Sequence, residues 1–143
     1  MPNWKNIKKL RDHLASMKIT RYRRFDMSDY IQVTGSATDA ETLSVKRLRA
    51  NGPECGSVAC LAGETVIALA PEKLRIPVMY NSYLNCSFIA DNASKILGLS
   101  MSEENHMFSG EWTRTPLGSV TRKQAVKYLD KAIAAKNVMV VLS

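Results

Sequence analysis

The chain has 143 residues, of which 45% are apolar and 23% are charged, and its 20 Lys and Arg outnumber its 13 acids. This length and apolar content predict a single folded domain over residues 1–143 and exclude a disordered chain. The formal net charge of +7 favours anionic partners such as nucleic acids, nucleotides and acidic proteins. A solvated surface that only keeps the protein soluble is the alternative explanation of this charge.

The cellular compartment is predicted from the cysteines and from the apolar runs. The three cysteines do not have the spacing of a secreted disulfide framework. No apolar run approaches the roughly 20 residues of a membrane span, and the first residues lack the apolar stretch of a signal peptide. We therefore predict a cytoplasmic protein that makes no contact with a membrane.

The first predicted helix has an apolar stripe and a basic outer face. Its apolar residues recur at spacings of three and four from Trp4 to Met17. His13 lies between two stripe positions and is predicted at the surface or at its boundary. Residues 18–34 predict an irregular or extended connection, in which basic side chains alternate with aromatic ones. The predicted basic surface, suited to phosphates and a stacked base, consists of Lys5, Lys8, Lys9, Arg11, Lys18, Arg21, Tyr22, Arg23 and Arg24.

The fold class that the remaining pattern predicts is mainly α, around one buried central helix. Residues from about 57 to 70 are apolar on nearly every face, which indicates a buried helix. A second core helix is predicted over 87–97, and capping-box sequences at 100–103 and 121–124 open two more helices. The β-prone tail 138–142 is predicted either to pair with residues 76–80 in a small two-stranded element or to bury against a partner chain.

The segment that could carry chemistry is the turn that leads into the central helix. Cys55, Gly56 and Ser57 precede the helix, and the free amide groups at a helix start favour an anion or a thiolate. Cys55 or Cys60 is therefore a candidate reactive cysteine. The structural alternative is that Gly56 and Ser57 only cap the helix and that Cys60 is a small core residue.

Catalysis by a cysteine requires a base, and His106 is the candidate that could reach it from a separate segment. Three cysteines and two histidines could supply four zinc ligands, but Cys55 and Cys60 have no second close pair to complete a site. We predict no metal and no cofactor. The ligand-binding residues predicted are Cys55, Gly56, Ser57, Arg21, Tyr22, Arg23 and Arg24.

Residues 55–63, Cys-Gly-Ser-Val-Ala-Cys-Leu-Ala-Gly, resemble the Cys-Gly-[Ser/Thr]-x-x-Cys-x-Ala-Gly motif of small uncharacterised proteins of phages and mobile elements. The resemblance extends upstream to residues 24–28 and downstream through residues 97–112 and 121–125. Where such proteins often have an aromatic residue or a histidine after the Ala-Gly pair, this chain has Glu64. The resemblance implies a phage-type accessory protein that acts in the host cytoplasm, and it implies no particular enzymatic activity.

The function predicted is therefore a non-enzymatic binding protein that counteracts a host defence system. It would bind a host protein complex or sequester a nucleotide signal through its basic surface. Two alternatives stay open, a cysteine-dependent hydrolase or transferase that uses Cys55 or Cys60 with His106, and a non-specific nucleic-acid-binding protein. Self-association through the apolar tail also stays open.

Overall fold

The computed structural model describes residues 1–20, 23–28, 31–50, 57–79 and 83–142, with the backbone alone at 36, 57 and 58. The five described strands all lie before residue 78 and have three residues each, and beyond that point the described elements are helices and 3₁₀ turns. In chain order they are α1 (Trp4–Ser16), β1 (Arg23–Phe25), β2 (Ile31–Val33), a 3₁₀ turn (Gly35–Asp39), β3 (Thr42–Ser44), α2 (Val45–Ala50), β4 (Ser57–Ala59), α3 (Leu61–Leu69), β5 (Arg75–Pro77), α4 (Cys86–Leu97), α5 (Met101–Phe108), a 3₁₀ turn (Leu117–Ser119) and α6 (Arg122–Ala135).

The predicted buried central helix is α3, and the structure confirms a mainly α fold around it. Every residue from Leu61 to Ile67 is buried, and α1, α2, α4 and α5 pack against this helix. The helix is shorter than the predicted range of 57–70, because Ser57–Ala59 is the strand β4 and Cys60 is the residue before the first helical turn. Residues 57–59 fall within the predicted helix, but they pair through their backbone with β1 on one side and with β2 on the other, and they therefore form a strand.

A three-stranded sheet lies beside the start of α3, with β4 in the middle and β1 and β2 on either side. Strands β1 and β4 are parallel, and Arg23 lies opposite Ser57 in their register. Strand β2 runs antiparallel to β4. The extended connection predicted for residues 18–34 thus contributes two strands, and the sheet places the basic segment directly beside the residues that lead into α3.

The tail does not form the predicted strand. Residues 75–77 pair instead with Thr42–Ser44, so that Leu43 lies opposite Ile76. The predicted pairing of 76–80 with 138–142 is therefore wrong. The tail is held by separate hydrogen bonds to helices α5 and α6 and to the loop between them, and its Val138 is fully buried. These bonds join Tyr128 Oη to Val138 O (2.7 Å), His106 Nε2 to Val140 O (2.8 Å), Lys131 Nζ to Val141 O (2.6 Å) and Leu142 N to Trp112 O (2.7 Å).

The helix ends follow the predicted caps. Both predicted capping boxes are present, at residues 100–103 and 121–124. Gly98 ends α4 at a φ of 66°, where a Cβ would lie 2.7 Å from the carbonyl oxygen of Met1. None of the described helices is long and apolar enough to cross a membrane.

Helix α6 positions α1. The Arg11 guanidinium binds Asp130, with 2.7 Å between Nε and Oδ1, and this contact raises the pKa of Arg11. Arg122 donates from Nη1 to the carbonyl oxygens of Leu14 and Ala15 at the end of α1, the latter at 3.2 Å. These contacts determine where the last turn of α1, including His13, lies relative to the core.

We predict that Tyr128→Phe lowers the free energy of unfolding by about 1–3 kcal/mol, because the buried Val138 carbonyl loses its donor. Chemical denaturation followed by circular dichroism measures this change. The matched control is Tyr83→Phe, since Tyr83 is 39% exposed, and it should change stability by less than about 0.5 kcal/mol. Equal unfolding midpoints for the two variants would show that the hydroxyl does not stabilise the tail.

Candidate anion-binding cleft

A cleft of about 360 Å³ opens where the end of α1 meets β1, α2 and α3. Its volume lies at the lower end of the range for small-molecule sites. One part of its lining is apolar and is formed by Met17, Ile67 and Ala68. The other part carries nitrogen donors, which are His13, Lys18, Arg23 and Arg49.

Beneath this cleft lies the fully buried carboxylate of Glu64, on the central helix α3. His13 Nε2 lies 2.8 Å from Oε1 of Glu64, and Nη2 of Arg23 binds the same oxygen. The other carboxylate oxygen, Oε2, is buried and has no hydrogen-bond partner among the described residues. An ionised carboxylate is costly to bury unless it is paired, so Arg23 and His13 account for the position of Glu64 in an otherwise apolar segment.

Of the two Glu64 partners, one is almost wholly buried and the other is partly exposed. The Arg23 side chain is 6% exposed, and its Nη1 also donates to the carbonyl oxygen of Arg24 at 3.3 Å. The His13 side chain keeps 28% of its surface exposed. Arg23 is therefore held in place by the protein. His13 binds Glu64 through Nε2, and the exposed part of its side chain is accessible to solvent or to a ligand.

The other two cations of the cleft are Arg49, which the protein already binds, and Lys18, which the described residues do not bind. Arg49 donates to the carbonyls at the C-terminal end of α3, including Ala70 O at 2.7 Å, and lies 3.6 Å from Glu72. This is the favourable position for a cation at a helix C-terminus. Lys18 is exposed and makes no hydrogen bond or ion pair with the described part of the chain. Its ammonium is thus available to an anion in the cleft.

The structure brings together some of the ligand residues predicted from the sequence. Arg23 lines the cleft and lies beside Ser57 on the neighbouring strand, so the two predicted segments do meet. Arg24 is exposed and follows Arg23 in a strand, so its side chain lies on the opposite face of the sheet. The other four predicted ligand residues, Arg21, Tyr22, Cys55 and Gly56, lie outside the described residues.

The start of the central helix differs from the prediction at Ser57, the one residue of the predicted Cys55–Ser57 turn that the structure describes. Ser57 lies in β4, three residues before the residue that caps α3, so it does not cap that helix. The first turn of α3, Leu61 to Glu64, is fully buried. The amide groups of this helix end therefore face the protein interior instead of a solvent-accessible ligand.

Cys60 does not have the properties of the reactive thiolate that the sequence suggested. It is 1% exposed, and burial raises the pKa of its thiol to about 12, although the amides of Gly63 and Ala62 lower it. The Glu64 carboxylate raises it further. Burial outweighs the helix-start amides, and Cys60 is a neutral core thiol at physiological pH.

His106, the predicted base, is occupied elsewhere. The residue is 5% exposed, and Nε2 lies 2.8 Å from the Val140 carbonyl oxygen, to which it donates a hydrogen bond. The ring also lies near Tyr128, with 6.1 Å between centroids. These contacts give His106 a structural role in holding the tail. Among the described residues, no group of three or more His, Cys, Asp or Glu is arranged to hold a metal ion.

The pair of His13 and Glu64 was not predicted from the sequence. The one available signal was an acidic residue at the centre of an otherwise apolar helical segment, which indicates a buried charge that needs a partner. Nothing in the sequence identifies that partner, because His13 lies 51 residues away and Arg23 lies 41 residues away.

No protein-family model matches the chain, and neither the curated proteins nor the solved structures contain a match.

We predict that Glu64→Gln lowers the free energy of unfolding by about 3 kcal/mol, because Arg23 keeps its buried charge and loses its counter-charge. Thermal and urea denaturation of the two proteins measure the difference. Glu111→Gln removes an exposed carboxylate and is the matched control, with an expected effect below about 0.5 kcal/mol. A Glu64→Gln variant as stable as the wild type would mean that this ion pair does not stabilise the fold.

We also predict that iodoacetamide modifies Cys86, which is exposed, in the folded protein, and modifies Cys60 only after unfolding. Peptide mass spectrometry distinguishes the cysteines. Because the pKa of Cys60 rises from 9.0 to about 12 on folding, the unfolded chain loses this proton first. The stability that Cys60 contributes should thus be present below pH 9 and decline between about pH 9 and 12. Rapid labelling of Cys60 at neutral pH would contradict a buried thiol.

Proposed function

We propose that the protein binds a phosphate-bearing nucleotide in the cleft formed by His13, Lys18, Arg23 and Arg49. The observation that carries this proposal is the convergence of these four nitrogen donors on one small cleft, above a carboxylate that is itself buried. The formal net charge of +7 adds a long-range attraction for anions. Of the two targets predicted from the sequence, a host protein complex and a nucleotide, the cleft favours the nucleotide.

The cleft lining matches the two parts of a nucleotide. Guanidinium and ammonium groups donate strong, charge-assisted hydrogen bonds to phosphate oxygens. The apolar part of the lining, Met17, Ile67 and Ala68, offers a surface against which a base or a ribose can pack. Since Arg23 and Arg49 are already held by Glu64 and by the end of α3, little side-chain entropy is lost when a ligand binds to them.

The biological setting proposed is that of a phage-type accessory protein that sequesters a nucleotide signal of host defence. Its support is the resemblance of residues 55–63 to the motif of phage and mobile-element proteins, together with the basic charge.

The test is binding of fluorescent AMP and of inorganic phosphate to the wild type and to Lys18→Ala. We expect the substitution to weaken AMP binding about tenfold, because a charged donor to phosphate is lost. Lys8→Ala is the matched control, since Lys8 is an exposed lysine of α1 that does not line the cleft. Affinity should also fall as salt is raised from low to physiological ionic strength.

Three outcomes decide the proposal. A loss of affinity in Lys18→Ala with little change in Lys8→Ala supports binding in the cleft. Equal loss in both variants would assign binding to the general surface charge and would overturn the proposed site. The absence of measurable binding of either ligand would overturn nucleotide binding itself.

A further inference from the structure

His13 and Glu64 form a histidine–carboxylate pair at the wall of the cleft. A carboxylate only accepts hydrogen bonds, so Nε2 of His13, 2.8 Å from Oε1, carries the proton of the neutral ring. The second ring nitrogen, Nδ1, then has a free lone pair. It makes no hydrogen bond with the described part of the chain, and 28% of the side chain is exposed.

This pair has the features of a general base rather than of a purely structural ion pair. The ring is oriented by a fully buried carboxylate, and that carboxylate is held in turn by Arg23. The unoccupied nitrogen belongs to a residue that lines the cleft, together with the exposed ammonium of Lys18. A purely structural histidine in this protein, His106, differs in that it is 5% exposed.

We propose that the cleft cleaves ribonucleotide phosphodiesters that carry a neighbouring 2′-hydroxyl, with His13 as general base and Lys18 as general acid. This inference rests on the proposed binding of phosphate-bearing ligands in the same cleft. The 2′-hydroxyl supplies the nucleophile within the substrate, so the protein has to provide only a base, an acid and positive charge. The cleft contains all three, the charge coming from Arg23 and Arg49.

In the proposed step, the 2′-oxygen forms a bond to the adjacent phosphorus while its proton passes to Nδ1 of His13. The bond between phosphorus and the 5′-oxygen breaks, and the departing oxygen takes a proton from the Lys18 ammonium. The guanidinium groups of Arg23 and Arg49 stabilise the negative charge that accumulates on the phosphoryl oxygens. The products are a 2′,3′-cyclic phosphate and a free 5′-hydroxyl. Solvent then returns a proton to Lys18 and removes one from His13.

The test measures cleavage of a short single-stranded RNA of mixed sequence and of a cyclic dinucleotide with 3′–5′ linkages. Chromatography and mass spectrometry identify 2′,3′-cyclic phosphate products, and DNA of the same sequence is the control that lacks the 2′-hydroxyl. His13→Gln keeps an amide donor for Glu64 but has no base, so we expect it to lower kcat by about 10²–10⁴-fold. Lys18 is exposed and has no partner in the described structure, so Lys18→Ala should lower kcat as well. Lys95→Ala, at an exposed lysine of α4 that does not line the cleft, should not.

The outcomes separate this inference from the binding proposal. The inference is supported if the wild type cleaves RNA, the cyclic dinucleotide or both, and if His13→Gln loses this activity without a change in melting temperature. The substrate that is cleaved then shows which kind of ribonucleotide diester the protein uses. If wild type and His13→Gln bind 2′-O-methyl RNA or AMP equally and neither cleaves any ribonucleotide, the catalytic inference is overturned and the proposed binding stands. Equal cleavage by His13→Gln, or cleavage of DNA, would also overturn it. If no nucleotide binds, both proposals fail.

Discussion

The burial of the central helix depends on how one carboxylate, that of Glu64, is stabilised away from water. Helix α3 packs against four other helices, α1, α2, α4 and α5, and each of its first seven residues is buried. A carboxylate at such a position costs several kcal/mol unless opposite charge and hydrogen bonds compensate it. Arg23 from β1 and His13 from α1 supply both on a single oxygen. One buried group therefore joins a strand and two helices.

The same arrangement determines the character of the cleft. Because Glu64 lies beneath the surface, its partners His13 and Arg23 line the cleft and the carboxylate itself does not. Arg49 is held independently by the carbonyl groups at the end of α3. In the proposed complex, the anion would meet two guanidinium groups already in position and one adaptable ammonium, that of Lys18. Such preorganisation favours binding because few side chains have to be ordered when the ligand arrives.

The position of His13 also depends on contacts far along the chain. Helix α6 binds α1 through Asp130 and Arg122, and the tail packs against α5 and α6 through Tyr128 and Val138. Trp112 stacks on Tyr128 with 4.6 Å between ring centroids and completes this region of the core. A change that loosens the tail should thus reach the cleft through α6 and the last turn of α1.

The amino-acid sequence by itself determined the helices whose signals are local. The capping boxes at 100–103 and 121–124 act within three residues, and the glycine at 98 accommodates a left-handed conformation, so these features could be predicted. The apolar composition of residues 57–70 likewise predicted a buried helix, of which residues 61–69 are helical in the structure. The predicted basic residues included two members of the cleft, Lys18 and Arg23.

Only the tertiary structure decided the rest, because the interactions involved join residues far apart in the chain. Strand β4 forms because β1 and β2 pair with it on both sides. The tail forms no strand, and helix side chains bind three of its carbonyl groups separately. The pair of His13 and Glu64 spans 51 residues. Hydrophobic periodicity shows which residues are buried, but it does not specify which distant charge lies beside a buried carboxylate. Three-dimensional packing alone brought these groups to one cleft.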